Sequence, residues 1–256
     1  MRTGFSQTPA AGVACRLRAG LAAVLILAAP PAPLPAAEDE GRLDAAFDLS
    51  LAGFRVGLLA LEGGTGGGRY AVRMTLRTTG LAGLVYPVRY EGGSEGRIAA
   101  GRMVPEMHWE HADTGRHLSD ARIDFRGPVP VVRVAATAAD GDPAAVAIRA
   151  EGAVDPVTAL AVALEARGGA PPCPGRLEVF DGARLTRAEV APPEAEPGGI
   201  RCAGRYLRVA GFPEDELAER RSFGFTLRYT AGAGGRLVLS GIEMDTLYGR
   251  GRLNRR

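Results

Sequence analysis

Through most of the chain beyond its first thirty-seven residues, apolar and polar positions alternate with a period of two, the pattern of strands with one face in a core. Tyr70, Val72, Met74 and Leu76 share one side, with Arg73, Thr75 and Arg77 opposite. Leu84, Tyr86, Val88 and Tyr90 repeat the pattern, and Pro87 marks an edge or a bulge there. Phe223, Phe225, Leu227 and Tyr229 alternate with Gly224, Thr226 and Arg228. Shorter runs about Phe54, Ile123, Val131, Ile148, Leu207 and Leu239 predict further strands. The runs Gly63–Gly68 and Gly232–Gly235 read as hairpin loops, and Asp181-Gly182 reads as the tight turn between Leu177–Phe180 and Arg184–Val190.

The period changes once. Asp155 can cap a helix whose first turn suits Pro156. Val157, Leu160, Ala161 and Leu164 then fall on one face, and Gly168-Gly169 ends the segment, giving a helix over about 155–167. Such a stripe must be buried against the sheet or across a barrel mouth. The expected fold is therefore mainly β: one antiparallel, barrel-like or strongly curved sheet domain over 38–256 with one short helix. Thirty-six glycines and eighteen prolines, spread widely, fit many short strands and tight turns. Hydrophobic residues at 46% and charged residues at 23% are ordinary for a globular chain. All 31 basic residues are arginine, scattered rather than clustered.

Residues 1–37 have the three parts of a secretory signal: Arg2, Arg16 and Arg18 without an acidic residue, the apolar stretch Leu21–Ala29, and small residues at Ala36-Ala37. Nine apolar residues fall short of the roughly 20 that a permanent spanning helix needs. Cys15 precedes the apolar stretch, which argues against a lipoprotein. Cleavage after Ala37 places the mature domain in the bacterial periplasm without a stable membrane span. It also removes three arginines, taking the formal charge from +2 to −1. A nearly neutral domain has no large field for nucleic acid or acidic membrane. Arg250, Arg252, Arg255 and Arg256 form a local basic cluster, read as a solvated, frayed tail or a weak contact with anionic lipid.

Cys173 and Cys202 remain after export, an even number in an oxidising compartment, and are expected to form one disulfide. In a simple meander they would lie on opposite sides of a middle strand, about 10 Å apart. Either both lie beyond the strand ends, or the topology is no meander. His108, His111 and His117 cluster about a turn at Ala112–Gly115. With His111 facing His117, His108 faces Asp120, and period two puts the two pairs on opposite faces. His111 and His117 with one carboxylate are the metal candidates, against a plainer reading of polar residues on an exposed hairpin. The glycine run lacks the Lys-Ser/Thr of a P-loop, and no G-x-S-x-G or H-E-x-x-H is present. No catalytic residue or cofactor is expected. Asp155 reads as a helix cap, Trp109 as a surface anchor for a partner or, more plainly, partly buried packing, and Asp44 and Asp48 as a carboxylate pair of undefined geometry.

Ser94-Glu95-Gly96, Pro105, Asp124-Phe125, the DPVTAL segment Asp155–Leu160 and Val179-Phe180-Asp181-Gly182, in this order, resemble the domain of unknown function 3108 family of bacterial secreted proteins. The resemblance covers Leu43 to Leu247 and implies a periplasmic, predominantly antiparallel β domain. It brings no activity, ligand or catalytic residue. Three readings of function follow. The first is a non-enzymatic module whose barrel binds an apolar, lipid-like ligand or an envelope protein. The second is an envelope scaffold with a filled core that acts only through its surface. The third is a hydrolase assembled from distant segments.

Overall fold

The computed structural model describes residues 41–115, 118–134, 143–164, 173–232 and 236–256. The first strands are β1 (Gly41–Arg42), β2 (Ala45–Leu51), β3 (Phe54–Gly66) and β4 (Arg69–Thr78), followed by the helix α1 (Gly80–Val85). Then come β5 (Arg89–Ala99), β6 (Arg102–Asp113), β7 (Leu118–Asp124), β8 (Val131–Val134), α2 (Pro143–Ile148) and α3 (Pro156–Leu164). The rest comprises β9 (Arg176–Phe180), β10 (Leu185–Val190), β11 (Glu194–Glu196), β12 (Gly199–Ala210), α4 (Glu214–Glu219), β13 (Ser222–Ala231), β14 (Leu237–Thr246) and β15 (Gly249–Arg255).

All strands join one sheet in the order β8-β7-β6-β5-β4-β3-β2-β15-β14-β13-β12-β10-β9, with β1 on β3 and β11 on β12. Chain neighbours pair antiparallel nearly throughout, as short connections dictate. The alternation sets which face turns inward. Tyr70, Val72 and Met74 are buried, and so are Phe223, Leu227 and Tyr229 across the molecule. These residues from β4 and β13 do not face opposite sides of a flat layer. Tyr70, Val72, Met74, Leu227 and Tyr229 share one core with Phe47 of β2, Leu239 of β14 and Val157, Ala161 and Ala163 of α3. The sheet therefore curves around α3, which touches β4, β5, β6, β9 and β14. The Tyr229 hydroxyl donates to the Ala163 carbonyl at 2.9 Å, holding the far end of the helix.

A second apolar cluster joins the ends of the sheet. Ile123 of β7 and Val132 of β8 pack with Phe180 of β9 and Leu185 of β10, and Val146 and Ala147 of α2 lie among them. Val154 also covers the edge of β9: its N–H donates to Glu178 O at 2.9 Å and its carbonyl accepts from Phe180 N at 2.8 Å. This bridge is parallel, and it hides part of an edge that would otherwise offer unpaired backbone groups.

Several local expectations are corrected. The segment holding Leu84 and Tyr86 is not a strand: Gly80–Val85 form α1, and β5 begins at Arg89. Leu81, Leu84 and Val85 also fit helical spacing, so period two was ambiguous there. Ile148 ends α2 rather than lying in a strand. The helix at Asp155 is joined by α1, α2 and α4, six residues each, and is described as far as Leu164. Gly63–Gly66 belong to β3, and only Gly67-Gly68, with φ of +54° and +73°, make the turn. The arginine-rich end is no frayed tail. β15 lies between β14 and β2, Leu253 packs against the core, and Arg250 and Arg252 stand opposite Asp245 and Glu243. Leu253 is its one large inward apolar residue, too little for a legible alternation.

Replacing Tyr229 by Phe should lower stability by about 1–3 kcal/mol, because the Ala163 carbonyl keeps its burial and loses its donor. The check is urea unfolding, with a shifted midpoint and an unchanged m-value.

Candidate functional site

The polar centre of the molecule lies where α3 enters the core. Pro156 opens the helix, and Asp155 before it accepts the Thr158 N–H at 2.9 Å through Oδ1. The capping residue is itself wholly buried, as are His108 and Thr158. Its Oδ2 accepts the Ser94 hydroxyl at 2.7 Å and the Thr158 hydroxyl at 2.6 Å. With both protons committed to the carboxylate, the Tyr70 hydroxyl must donate to Thr158 Oγ1, 2.8 Å away. Ser94 and His108 face each other across β5 and β6, and His108 faces Ile123 of β7. A bulge at Glu95/Gly96 shifts the pairing between β5 and β6, so that both Met103 and His108 are buried although their spacing is odd.

His108 supplies the positive charge. Its Nδ1 lies 3.1 Å from Asp155 Oδ1 and its Nε2 lies 3.5 Å from Glu110 Oε2. Neither ring nitrogen is aligned as a hydrogen bond, so the attraction is mainly between charges. Burial pulls the imidazole pKa down, but the carboxylates of Asp155 and Glu110 outweigh it and raise it to about 9. Burial alone would push Asp155 up, yet His108 and the Thr158 donors hold it below the usual carboxylate range. Glu110 in turn accepts the Tyr90 hydroxyl at 2.9 Å. Asp181, raised mainly by burial, accepts the N–H groups of Ala183 and Arg184 at 2.9 and 2.6 Å, which fixes the turn at Gly182.

This constellation holds a serine, a histidine and an aspartate without the order that nucleophilic catalysis needs. A catalytic histidine stands between serine and carboxylate to take the hydroxyl proton. Here the carboxylate stands in the middle, and the serine donates to it. The arrangement joins α3 to β4, β5 and β6; it does not activate a nucleophile.

The other candidate residues lie elsewhere. His111 is exposed and faces Asp120, with Nδ1 2.7 Å from Asp120 Oδ1. The pairing of β6 with β7 therefore differs from a His111–His117 register, and His108 faces Ile123 inside rather than Asp120. That corrects the exposed-hairpin reading of His108. His117 falls outside the described residues, among which no group of three or more histidine, cysteine or acidic side chains could hold a metal ion. Asp44 pairs with Arg42, and Asp48 with Arg55 and Arg256. Trp109 is half-buried, on Gly93 and beside Arg73. Cys173 and Cys202 stand at disulfide distance, with Cα atoms 5.8 Å apart. The strands do form a meander, but β10 ends at Val190 opposite Gly204, short of Cys202, and Cys173 precedes β9. No strand separates them.

A strongly curved antiparallel sheet locked around an internal helix by a buried ion pair defines the class. The profile of the protein of unknown function family DUF3108 matches residues 46–191, and the chain belongs to that family. The crystal structure of a β-barrel-like protein of domain of unknown function DUF1849 from Brucella abortus is similar, with a TM-score of 0.45 and 12% identity. The alignment covers 83% of this chain and 94% of that one. No curated protein matches the chain.

The buried pair makes stability depend on pH. A histidine raised from 6.5 to about 9 contributes fully below pH 6.5, and its contribution is lost as pH rises through 9. The lowered Asp155 contributes above its ordinary value and is lost on acidification. Stability should fall by about 3 kcal/mol between pH 6.5 and 9.5. Asp155→Asn, which keeps a capping oxygen and loses the charge, should cost about 3–5 kcal/mol at pH 6 and flatten that alkaline slope. Denaturant unfolding at a series of pH values reads both.

Proposed function

We propose that the protein is a non-enzymatic module of the bacterial envelope, exported to the periplasm, with a filled interior and an acting outer surface. The observation that carries this reading is α3 itself. It occupies the space a barrel ligand would take, with Val157, Ala161 and Ala163 in the common core and Tyr229 bonded to its last turn. One cleft of about 540 Å³ is bordered by Arg97, Met103, Pro128 and Glu151. No helix of the described residues is long and apolar enough to cross a membrane.

Export is supported by the form of residues 1–37 and by the cysteine geometry. The signal segment itself lies outside the described residues. A Cys173–Cys202 disulfide would close a loop of about thirty residues, worth about 3–4 kcal/mol in the chain-entropy model. It would tie β12 to the entry of β9 in a compartment where thiols oxidise.

Native mass spectrometry of protein recovered from an exporting bacterium tests the reading. The expected mass is that of a chain beginning near Glu38, two hydrogens lighter than its reduced form, with nothing bound. A lipid-like molecule in fixed stoichiometry would overturn the filled interior, and an uncleaved, fully reduced chain would overturn the export.

A further inference from the structure

Exposed apolar side chains are not scattered over this molecule. Of the ten large ones among the described residues, eight sit at one end of the sheet, six in connections and two, Phe54 and Leu118, as the first residues of β3 and β7. The end is defined by chain direction: the turns after β2, β4, β6 and β14 all fall there, and in the sheet these connections lie along the contiguous strip β7-β6-β5-β4-β3-β2-β15-β14. Phe54, Leu81, Leu84 and Tyr248 are between 76% and 82% exposed. The connections touch. A Cβ at Gly249 would stand 3.3 Å from that of Ala52, joining the β14–β15 and β2–β3 turns, and one at Gly115 would stand 2.7 Å from Pro87 Cγ. Thr79 N donates to Val56 O at 2.9 Å, which sets α1 against β3.

Helix α1, GLAGLV, buries none of its residues. An apolar helix that leaves Leu81, Leu84 and Val85 in water is costly unless something else covers it. The charges beside it narrow the choice. Arg77 and Arg89 lie directly opposite each other at the ends of β4 and β5, flanking α1. Both are exposed, and neither pairs with a carboxylate among the described residues, whereas Arg55, Arg73 and Arg250 do. Two like charges across an antiparallel pair repel; Asp113 stands opposite Arg89 on its other side, whereas Arg77 has Leu58 there, so an added anion beside Arg77 relieves the repulsion.

We infer that this end of the sheet docks on an anionic lipid bilayer. Leu81, Leu84, Tyr86, Phe54 and Tyr248 enter the interface, while Arg77 and Arg89 meet the headgroup phosphates. Aromatic rings with a polar edge suit the headgroup level, and short apolar tips reach the acyl boundary. The inference rests on the surface-acting reading and deepens it by naming what the surface meets. A second copy of the chain is the competing occupant, and the oligomeric state separates it from a bilayer.

The test is sedimentation with vesicles of phosphatidylglycerol and phosphatidylcholine, using protein recovered from an exporting host. Wild type should bind, more weakly as salt rises, and much more weakly to phosphatidylcholine alone. R77Q/R89Q and L81S/L84S/Y86S should each lower binding about ten-fold or more, with unchanged thermal midpoints, since none of the replaced side chains is in the core. Any membrane affinity of the remaining chain is common to all arms. Binding that ignores both variants, or no binding by wild type, overturns the docking surface. So does a concentration-dependent dimer in size-exclusion chromatography that L81S/L84S/Y86S abolishes. A ligand-bearing native mass would instead overturn the filled interior, whatever the vesicles show, so the two failures are distinguishable.

Discussion

A carboxylate taken out of water and matched to one histidine holds this fold together. Eight strands enclose a space that side chains alone can fill. A path of thirteen strands, curved over two apolar clusters, leaves more room, and α3 fills it in the larger one. A helix that begins inside a protein brings N–H groups that need acceptors. Asp155 supplies one, and with it a negative charge that is tolerable in the interior only when paired and fully hydrogen-bonded. Hence Ser94, Thr158 and His108 converge on its two oxygens, drawn from β5, α3 and β6. The position of the helix, the register of β5 on β6 and the ionisation of His108 are one arrangement seen from three sides.

The short motifs that carry the resemblance fall on the joints of that arrangement. Ser94 is in the network, and a Cβ at Gly96 would stand 2.2 Å from Val104 O, at the bulge that lets His108 turn inward. Pro105 is the residue facing Gly96 across that bulge. Asp124 accepts the Arg126 N–H, and Phe125 packs in the seam between the two ends of the sheet. Phe180 closes the same seam, and Gly182, at φ +96°, gives the turn that Asp181 fixes. Each motif is turn-like in sequence because each acts where a strand bends, ends or meets the helix.

That explains what was legible beforehand. Strands with several inward apolar residues, β4 and β13 above all, announce themselves by alternation, and the cap and proline announce α3. Three things do not. A pairing register depends on turn geometry, and the connection between Asp113 and Leu118 carries no two-residue signature, so alternation alone does not give the partners of His108 and His111. A bulge reverses the parity of a strand midway, which hides the inward turn of His108 from any period-two count. Finally, a residue that caps a helix and a residue that binds a buried charge look the same in sequence. Asp155 was legible in the first role, and its second role exists only once β5, β6 and α3 meet.

The same chemistry bears on what the interior can admit. For a lipid-like molecule to enter the core, α3 would have to withdraw. Withdrawal breaks the Tyr229–Ala163 bond and separates Asp155 from His108 and Ser94. An acyl chain offers no acceptor to the Tyr229 or Ser94 hydroxyl and no charge to either member of the ion pair. The helix removes apolar and polar demands together, and a hydrocarbon could answer only the first. Unmet, the polar groups alone cost several kcal/mol. Apolar surface that still needs covering is found instead at the opposite extreme of burial, on the rim where α1 sits beside Arg77 and Arg89. There a bilayer interface answers both demands at once, accepting the side chains of Leu81 and Leu84 and offering phosphate to the arginines.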